Sequence, residues 1–219
     1  MNQYERVHRK RLTLTGDYIP PMQGGEALEV GHCGFFDAIL EARGYHVCGA
    51  NWNANEPTGP FNFDAEGRWP HDDGMYDLVI ACEILEHLPN DPMALFAEAN
   101  RVLKPGGQIL LTTPNIASSR GVEALLQGFQ PYLFCSFPRS PRDRHVIEFD
   151  RHQLALMLHC AGFEPNVWTE NCWSEPNPTA MDVLKRHGFP TEHRGDNLFT
   201  LSRKIGPVLN RKPDGIYHD

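Results

Sequence analysis

The sequence lacks the features that mark several classes of protein. Its 219 residues contain no apolar run near the roughly 18–20 residues that a membrane-spanning helix requires. The polar start MNQYERVHRKR is unlike a secretory signal. Acidic residues outnumber basic ones by 28 to 20, and the net charge of −8 disfavours partners such as nucleic acids and anionic membranes. We therefore expect a protein that is not exported, does not act at a membrane and is a poor candidate for binding nucleic acid.

Closely spaced cysteine pairs are also missing. No two of the six cysteines lie closer than 12 positions apart, so the chain has no C-x-x-C pair. This spacing argues against a zinc ribbon and against a thioredoxin-type redox site. Several of the cysteines lie in apolar runs, where a free thiol behaves as a small hydrophobic side chain. A reducing, cytoplasmic location fits this pattern best.

What is present fits one globular domain with many loops. Hydrophobic residues make up 41% of the chain, and 19 glycines and 18 prolines indicate numerous turns. We divide the chain into an N-terminal helical segment (1–25), a main domain (26–204) that includes a lid or insertion (114–148), and a C-terminal tail (205–219). The N-terminal segment is locally basic, and we interpret its charges as a solvated helix face. These charges are Arg6, Arg9, Lys10 and Arg11.

Short apolar runs alternate with helical patterns in the first half of the main domain. Asp91 followed by Pro92 predicts the start of a helix, because an aspartate caps the first turn and proline suits the first helical position. Alternating strands and helices predict right-handed βαβ units around a parallel sheet. The predicted strands are 26–31, 45–50, 76–82 and 108–113, with 61–63 as a short edge strand, and the predicted helices are 35–43 and 92–103.

The pattern is less regular after the fourth of these strands. Residues 114–148 contain several prolines and aromatic residues, and irregular stretches of this length are commonly functional lids. Asp150 and Gln153 then form a capping pair for a helix that reaches Ala161. Two final strands are predicted at 163–169 and 198–203.

Five of these segments, in this order and spacing, resemble the class I S-adenosylmethionine (SAM) methyltransferases. The resemblance implies an α/β, Rossmann-like fold with a seven-stranded, mostly parallel sheet, helices on both faces and an antiparallel last strand. It also implies that SAM lies above the carboxyl ends of the first two strands, where ligands of such sheets usually bind. The segments are Leu28-Glu-Val-Gly31, Tyr76-Asp-Leu-Val-Ile80, Glu83-Ile-Leu-Glu-His-Leu88, Arg101-Val-Leu-Lys-Pro-Gly-Gly107 and Thr112-Thr-Pro-Asn115.

The resemblance also implies which residues bind SAM. The family's first loop reads acid-x-Gly-x-Gly-x-Gly, whereas this chain is one residue shorter there and keeps two of the glycines. The second strand of the family ends in an acid that accepts both ribose hydroxyls, and here that position is an asparagine. An asparagine can accept such a hydrogen bond but brings no charge, which costs about 1–2 kcal/mol of binding. The implied cofactor-binding residues are Glu29, Gly31, Gly34, Asn51, Asp64 and Ala65.

A group of acids and histidines follows the central strand. The pattern E-x-x-E-H at Glu83, Glu86 and His87, together with H-x-x-E at His145, resembles metal-assisted O-methyltransferases that act on vicinal diols. Those enzymes include methyltransferases of ubiquinone biosynthesis and methyltransferases that modify the 3′-terminal ribose of small RNAs. The resemblance implies that the four named residues bind a divalent ion such as Mg, Mn, Fe or Zn. In many other methyltransferases, equivalent residues line the pocket or cap a helix without a metal.

Together these observations predict a SAM-dependent methyltransferase. We expect its acceptor to be a hydroxyl, or as second choice an amine, of a polar small molecule or a saccharide. A hydroxyl would be activated either by a bound metal or by Glu83 or His87 acting as a general base. The segments Gly195-Asp-Asn-Leu-Phe199, Arg203-Lys204 and Gly206-Pro207 also resemble bacterial methyltransferases associated with surface-polysaccharide pathways. The alternative is a catalytically inactive methyltransferase-like scaffold that binds a protein or another ligand, because function depends on the site and not on the fold. The acceptor and the oligomeric state stay open.

Overall fold

A computed structural model describes residues 3–53, 55, 59–131 and 144–218. Most of the second half of the predicted lid lies outside these residues. The described residues form one six-stranded sheet with the order β2-β1-β3-β4-β6-β5. Strands β1 to β4 are parallel, and β6 runs antiparallel to both β4 and β5. The strands are β1 (Gly25–Val30), β2 (Tyr45–Ala50), β3 (Tyr76–Cys82), β4 (Leu103–Pro114), β5 (Val167–Glu170) and β6 (Asn197–Arg203).

The α/β, Rossmann-like architecture and the antiparallel last strand confirm the prediction, but the number of strands does not. Residues 61–63 were expected to form a short edge strand. In the structure this stretch makes only isolated bridges, from Asn62 to Asn51 and to Gly59. The Asn62 side chain also exchanges hydrogen bonds with the backbone of Asn53, and side-chain bonds of this kind compete with a regular ladder. No seventh strand therefore forms in the described part of the chain.

Helices cover both faces of the sheet, as predicted. Successive residues of the central strands point to opposite faces, so that Leu78 and Ile80 belong to one hydrophobic cluster and Val79 and Ala81 to the other. Helices α1 and α2 contribute to the first cluster, and α3 and α5 to the second. The helices are α1 (Gln3–Asp17), α2 (Asp37–Ala42), α3 (Pro92–Val102), α4 (Ser119–Leu126), α5 (Arg151–Cys160) and α6 (Pro178–Arg186), with a 3₁₀ turn at Leu85–His87.

Two helix starts follow the predicted capping chemistry. The Asp91 side chain accepts a hydrogen bond from the Met93 amide at the start of α3. Asp150 and Gln153 form a complete capping box at the start of α5. Both helices follow loops at the carboxyl edge of the sheet, so these caps fix the chain where the predicted site residues lie.

The N-terminal helix packs into the same core as the sheet. Leu12 of α1 is buried against residues of α2, β1 and β3. Among the described residues, no helix has both the length and the apolar character needed to cross a membrane. The described cysteines are all free thiols.

Candidate functional site

A cleft of about 640 Å³ opens at the carboxyl ends of β1, β2 and β3. This size falls in the range of small-molecule and cofactor sites. Its walls come from the loops after β1 and β2, from residues 63–66, and from residues 84–90 between β3 and α3. The cleft therefore lies where parallel α/β sheets bind their ligands.

Four of the six residues predicted to bind the cofactor line this cleft: Gly31, Asn51, Asp64 and Ala65. Gly31 has a φ of 78°, and a Cβ atom there would lie 2.4 Å from Cδ1 of Ile84. Only glycine fits this turn, because any other side chain would both strain the backbone and collide with Ile84. The other two predicted residues belong to the same loop region without lining the cleft.

Of these two, Glu29 is buried beneath the loop. Its side chain is 3% exposed, and its Oε1 accepts a hydrogen bond of 3.1 Å from the Cys33 amide. Its Oε2 has no hydrogen-bond partner among the described residues and lies 3.8 Å from Nε2 of His32. Burial raises the pKa of Glu29. Glu29 thus fixes the shortened loop through Oε1, while its Oε2 accepts no hydrogen bond from a described residue.

Sequence reasoning missed the role of Arg11. Arg6, Arg9 and Lys10 are exposed, as expected, but Arg11 is 1% exposed. Its position is one helical turn before the buried Thr15, so it shares the buried face of α1. The burial periodicity of α1 is the signal that could have distinguished Arg11 from the other charges.

The Arg11 guanidinium lies between α1 and the end of β3. Its Nη2 donates to the Tyr4 hydroxyl at 2.9 Å, and its Nε lies 3.8 Å from Oε2 of Glu83. Within the part of the chain that the structure describes, Nε and Nη1 have no hydrogen-bond partner. Burial alone would lower the pKa of Arg11, but the Glu83 carboxylate raises it above its usual value. The site therefore contains a buried, permanent positive charge.

Glu83 follows β3 in an unusual backbone conformation. Its φ is 54°, which is uncommon for a residue with a side chain and is often found at functional sites. Its Oε1 accepts a hydrogen bond of 2.8 Å from Thr112, and both carboxylate oxygens lie 3.1 Å from Nδ2 of Asn197. With Arg11 close by, this carboxylate is well compensated.

Glu86, three residues after Glu83, lies close to His87 and His145. Each offers a ligand atom, and these atoms all lie within 4.8 Å of one another. Glu86 is fully buried, its Oε2 accepts a hydrogen bond of 2.9 Å from Thr113, and no described residue hydrogen-bonds to its Oε1. Burial, followed by repulsion from Glu83, raises the pKa of Glu86 well above its ordinary value. The three residues are called the Glu–His group below.

Both histidines of the Glu–His group are oriented through Nδ1. Nδ1 of His87 lies 3.0 Å from the carbonyl oxygen of Arg144, and Nδ1 of His145 lies 2.8 Å from Oε1 of Glu148. A carbonyl can only accept, so a neutral His87 carries its proton on Nδ1 and uses Nε2 as its acceptor. A carboxylate behind a histidine is the usual support for a metal ligand, and Glu148 has this position.

The structure brings together three of the four predicted metal ligands, and Glu83 is outside the group. The predicted set of four ligands requires a helical turn that starts at Glu83, because spacings of three and four residues then bring Glu83, Glu86 and His87 to one side. The turn begins at Leu85 instead, and the left-handed backbone at Glu83 precedes it. Glu83 therefore does not share a face with the other two. Of the two predicted catalytic residues, His87 lines the cleft, whereas Glu83 faces Arg11.

Solved structures share this fold. A SAM-dependent methyltransferase from Archaeoglobus fulgidus has a TM-score of 0.63 and 18% sequence identity, and the match covers 93% of this chain and 100% of that one. A Haloferax volcanii methyltransferase, solved in complex with the Trm112 methyltransferase activator, also has a TM-score of 0.63, with 15% identity and 92% coverage of both chains. At these identities the likeness shows the fold alone.

Sequence relatives extend the comparison. A ubiquinone biosynthesis O-methyltransferase from Acinetobacter baylyi is 27% identical over 111 residues, which cover 48% of this chain and 45% of that protein. One with the same name from Pseudomonas paraeruginosa is 45% identical over 42 residues, which cover 19% of this chain and 18% of that protein. The chain spans less than half the length of these curated relatives.

The family model described as a methyltransferase domain matches residues 13–168. This match covers well over half of the chain, and it includes the last five residues of α1 (13–17), the residues that line the cleft and the Glu–His group. The chain belongs to the class I SAM-dependent methyltransferase family.

Proposed function

We propose that this protein transfers a methyl group from SAM to a hydroxyl of a polar small molecule or a saccharide. The observation that carries the proposal is that His87 belongs both to the wall of the cleft and to the Glu–His group. A methyl donor in the cleft and a hydroxyl held at the Glu–His group would therefore be neighbours. Relatives that are named O-methyltransferases agree with an oxygen acceptor.

The residues around the cleft fit SAM. The methionine half of SAM carries an ammonium and a carboxylate, and two buried side chains behind the cleft lining, Glu29 on β1 and Arg11 on α1, have the opposite charges. Oε2 of Glu29 is a buried acceptor that could receive the ammonium, and Nε and Nη1 of Arg11 are buried donors that could receive the carboxylate. At the other end, Asp64, which lines the cleft, would accept from the adenine amine. Asn51 donates through Nδ2 to the His32 carbonyl, so its Oδ1 is the atom that would accept from a ribose hydroxyl.

A divalent cation fits the Glu–His group. Oε1 of Glu86 is a buried carboxylate oxygen that no described residue hydrogen-bonds to, and the two imidazoles beside it already have their supporting contacts. One carboxylate and two imidazoles suit Mg, Mn, Fe or Zn. When bound, such an ion lowers the pKa of a coordinated hydroxyl, and SAM supplies the electrophilic methyl group.

The chain's own residues contribute position and proton transfer. If no ion is bound, His87, oriented by the Arg144 carbonyl, would hold the acceptor hydroxyl and accept its proton at Nε2. Glu148 fixes the ring of His145. Arg11 balances the charge of Glu83 and keeps the wall next to the reacting atoms in one arrangement.

Calorimetric titration with SAM and with its product S-adenosylhomocysteine tests the proposal. We expect both to bind, and we expect Mn²⁺ to bind independently at the Glu–His group. Absence of heat and of a thermal shift at millimolar SAM and S-adenosylhomocysteine would contradict the enzymatic function. It would favour the alternative, a methyltransferase-like scaffold, for which the shortened glycine loop and Asn51 are the supporting observations.

A further inference from the structure

The C-terminal strap, defined as residues 209–217, runs back toward the cofactor cleft. The amides of Leu209 and Asn210 both donate to the carbonyl of Cys160 at the end of α5. The strap then reaches the start of α3, where Ile216 and Tyr217 pack against the main hydrophobic cluster. It is therefore a fixed part of the fold that joins the ends of two helices.

Two strap side chains hold the capping residue of α3. Nη2 of Arg211 lies 2.8 Å from Oδ2 of Asp91, and the Tyr217 hydroxyl donates to Oδ1 of the same carboxylate. The Met93 amide donates to this pair as well, at 3.1 Å to Oδ1 of Asp91 and 3.2 Å to the Tyr217 oxygen. The start of α3 thus depends on the strap as well as on its own cap.

The opposite side of the same loop is held by Glu66. Its Oε1 accepts from the amides of Asn90 and Asp91 at 2.8 and 2.6 Å, and its Oε2 accepts from Nδ2 of Asn90 at 3.0 Å. Residues 88–90 and Glu66 all line the cofactor cleft, directly beside Asp64 and Ala65. One wall of the cleft is therefore clamped between Glu66 on one side and the strap on the other.

We propose that Arg211 and Tyr217 are positioning residues for the adenosine half of the cofactor cleft. The inference rests on the proposed function, in which this cleft binds SAM. Binding is tighter when the walls are fixed before the ligand arrives, because less ordering has to accompany binding. The strap supplies this order through Asp91 and the loop that Glu66 holds. Its contacts lie on the adenosine side, away from Arg11 and Glu29.

The test compares two ligands that share the adenosine half. S-adenosylhomocysteine carries the amino-acid half, whereas 5′-methylthioadenosine lacks it. For Arg211→Met and Tyr217→Phe, we expect the Kd measured by calorimetry to rise about 3- to 10-fold for both ligands. Arg211→Lys, which restores the charge beside Asp91, should recover part of the loss. Arg11→Met should weaken S-adenosylhomocysteine and leave 5′-methylthioadenosine unchanged.

Arg203→Met is the matched control. It removes an exposed arginine whose Nη2 lies 3.6 Å from Oε2 of Glu164, on a part of β6 away from the cleft. Strap variants that bind both ligands as the wild type does would overturn the inference, as would an equal loss in Arg203→Met or a loss confined to S-adenosylhomocysteine. If the wild-type chain binds neither ligand, the proposed function fails and the inference fails with it. Tyr217→Phe removes one oxygen only, so it keeps the test valid if Arg211→Met does not fold.

Discussion

Glu83 and Glu86 are three residues apart, yet their carboxylates have opposite surroundings. Glu83 has Arg11, Thr112 and Asn197 around it, so that its charge is balanced by a cation and hydrogen bonds. Glu86 is fully buried, receives one hydrogen bond from Thr113 and keeps its other oxygen beside two histidines.

The difference indicates that the two carboxylates have different roles. A buried carboxylate that has a counter-charge and a full set of hydrogen bonds stabilises one arrangement of its surroundings. A buried carboxylate with too few hydrogen bonds and no counter-charge is harder to ionise. Ionising such a carboxylate lowers the stability of the fold unless a cation binds beside it. The Glu83 region therefore resembles a structural support, and the Glu86 region resembles a binding site that is ready for a ligand.

We expect the largest effect, a loss of Mn²⁺ affinity, when a proposed metal ligand is removed from the Glu–His group. His145→Ala should weaken Mn²⁺ binding by more than about 100-fold, and Glu148→Gln, which changes only the support behind His145, by about 10- to 100-fold. Calorimetry or manganese electron paramagnetic resonance measures both. His159→Ala, at an exposed position of α5, is the control. Unchanged Mn²⁺ affinity in His145→Ala would remove the Glu–His group as a metal site.

Neutralising each carboxylate in turn tests the comparison directly. Glu83→Gln should lower the free energy of unfolding by about 2–3 kcal/mol, because it leaves the Arg11 charge buried without its counter-charge. Glu86→Gln should leave the free energy of unfolding of the metal-free protein unchanged or raise it, because a neutral amide avoids burying a charge. Urea unfolding of both variants measures the difference. Equal losses would mean that the two environments are not distinct.

The pH dependence of stability gives a smaller effect with a definite sign. The pKa of Glu86 is raised in the folded chain, so between its unfolded value near 4.5 and its folded value the unfolded chain binds fewer protons. The free energy of unfolding of metal-free protein should therefore fall as pH rises above about 4.5 and level off beyond the folded pKa. Glu29 contributes in the same direction.

Glu86→Gln is the variant that isolates this contribution. Denaturant unfolding at several pH values should show that the free energy of unfolding declines less with rising pH in Glu86→Gln than in the wild type. Adding Glu29→Gln should remove the remaining decline. A decline that is identical in the wild type and in Glu86→Gln would show that Glu86 is not the group that titrates.

The regular parts of this molecule could be predicted from the sequence because their signals are local. Apolar runs located the central strands, and Asp91 and Asp150 marked helix starts by a chemistry that needs only neighbouring residues. The grouping of Glu86 with His87 follows from their being adjacent. His145 was reached only through the family resemblance, since nothing local joins it to residues almost 60 positions away.

The features that escaped prediction depend on tertiary context. Arg11 belongs to a basic run, and its burial results from the packing of α1 against the sheet. The left-handed backbone at Glu83 has no sequence signal, because residues with side chains rarely adopt it. The role of Arg211 depends on a chain reversal that brings it to Asp91, 120 positions earlier. Periodicity and spacing contain no information about the backbone of Glu83 or the contact of Arg211 with Asp91.

Two adjacent threonines allow the smallest and most closely matched test. Thr112 donates to Glu83 and Thr113 donates to Glu86, at 2.8 and 2.9 Å, and both threonines are fully buried. Thr112→Val should cost less than about 1 kcal/mol of unfolding free energy and leave Mn²⁺ affinity unchanged, because Asn197 still donates to both oxygens of Glu83. Thr113→Val removes the side-chain hydrogen bond of Glu86, so it should raise the pKa of that carboxyl further and weaken Mn²⁺ binding several-fold at neutral pH. Equal Mn²⁺ affinities in the two variants would show that the carboxylates do not differ in the way their surroundings indicate.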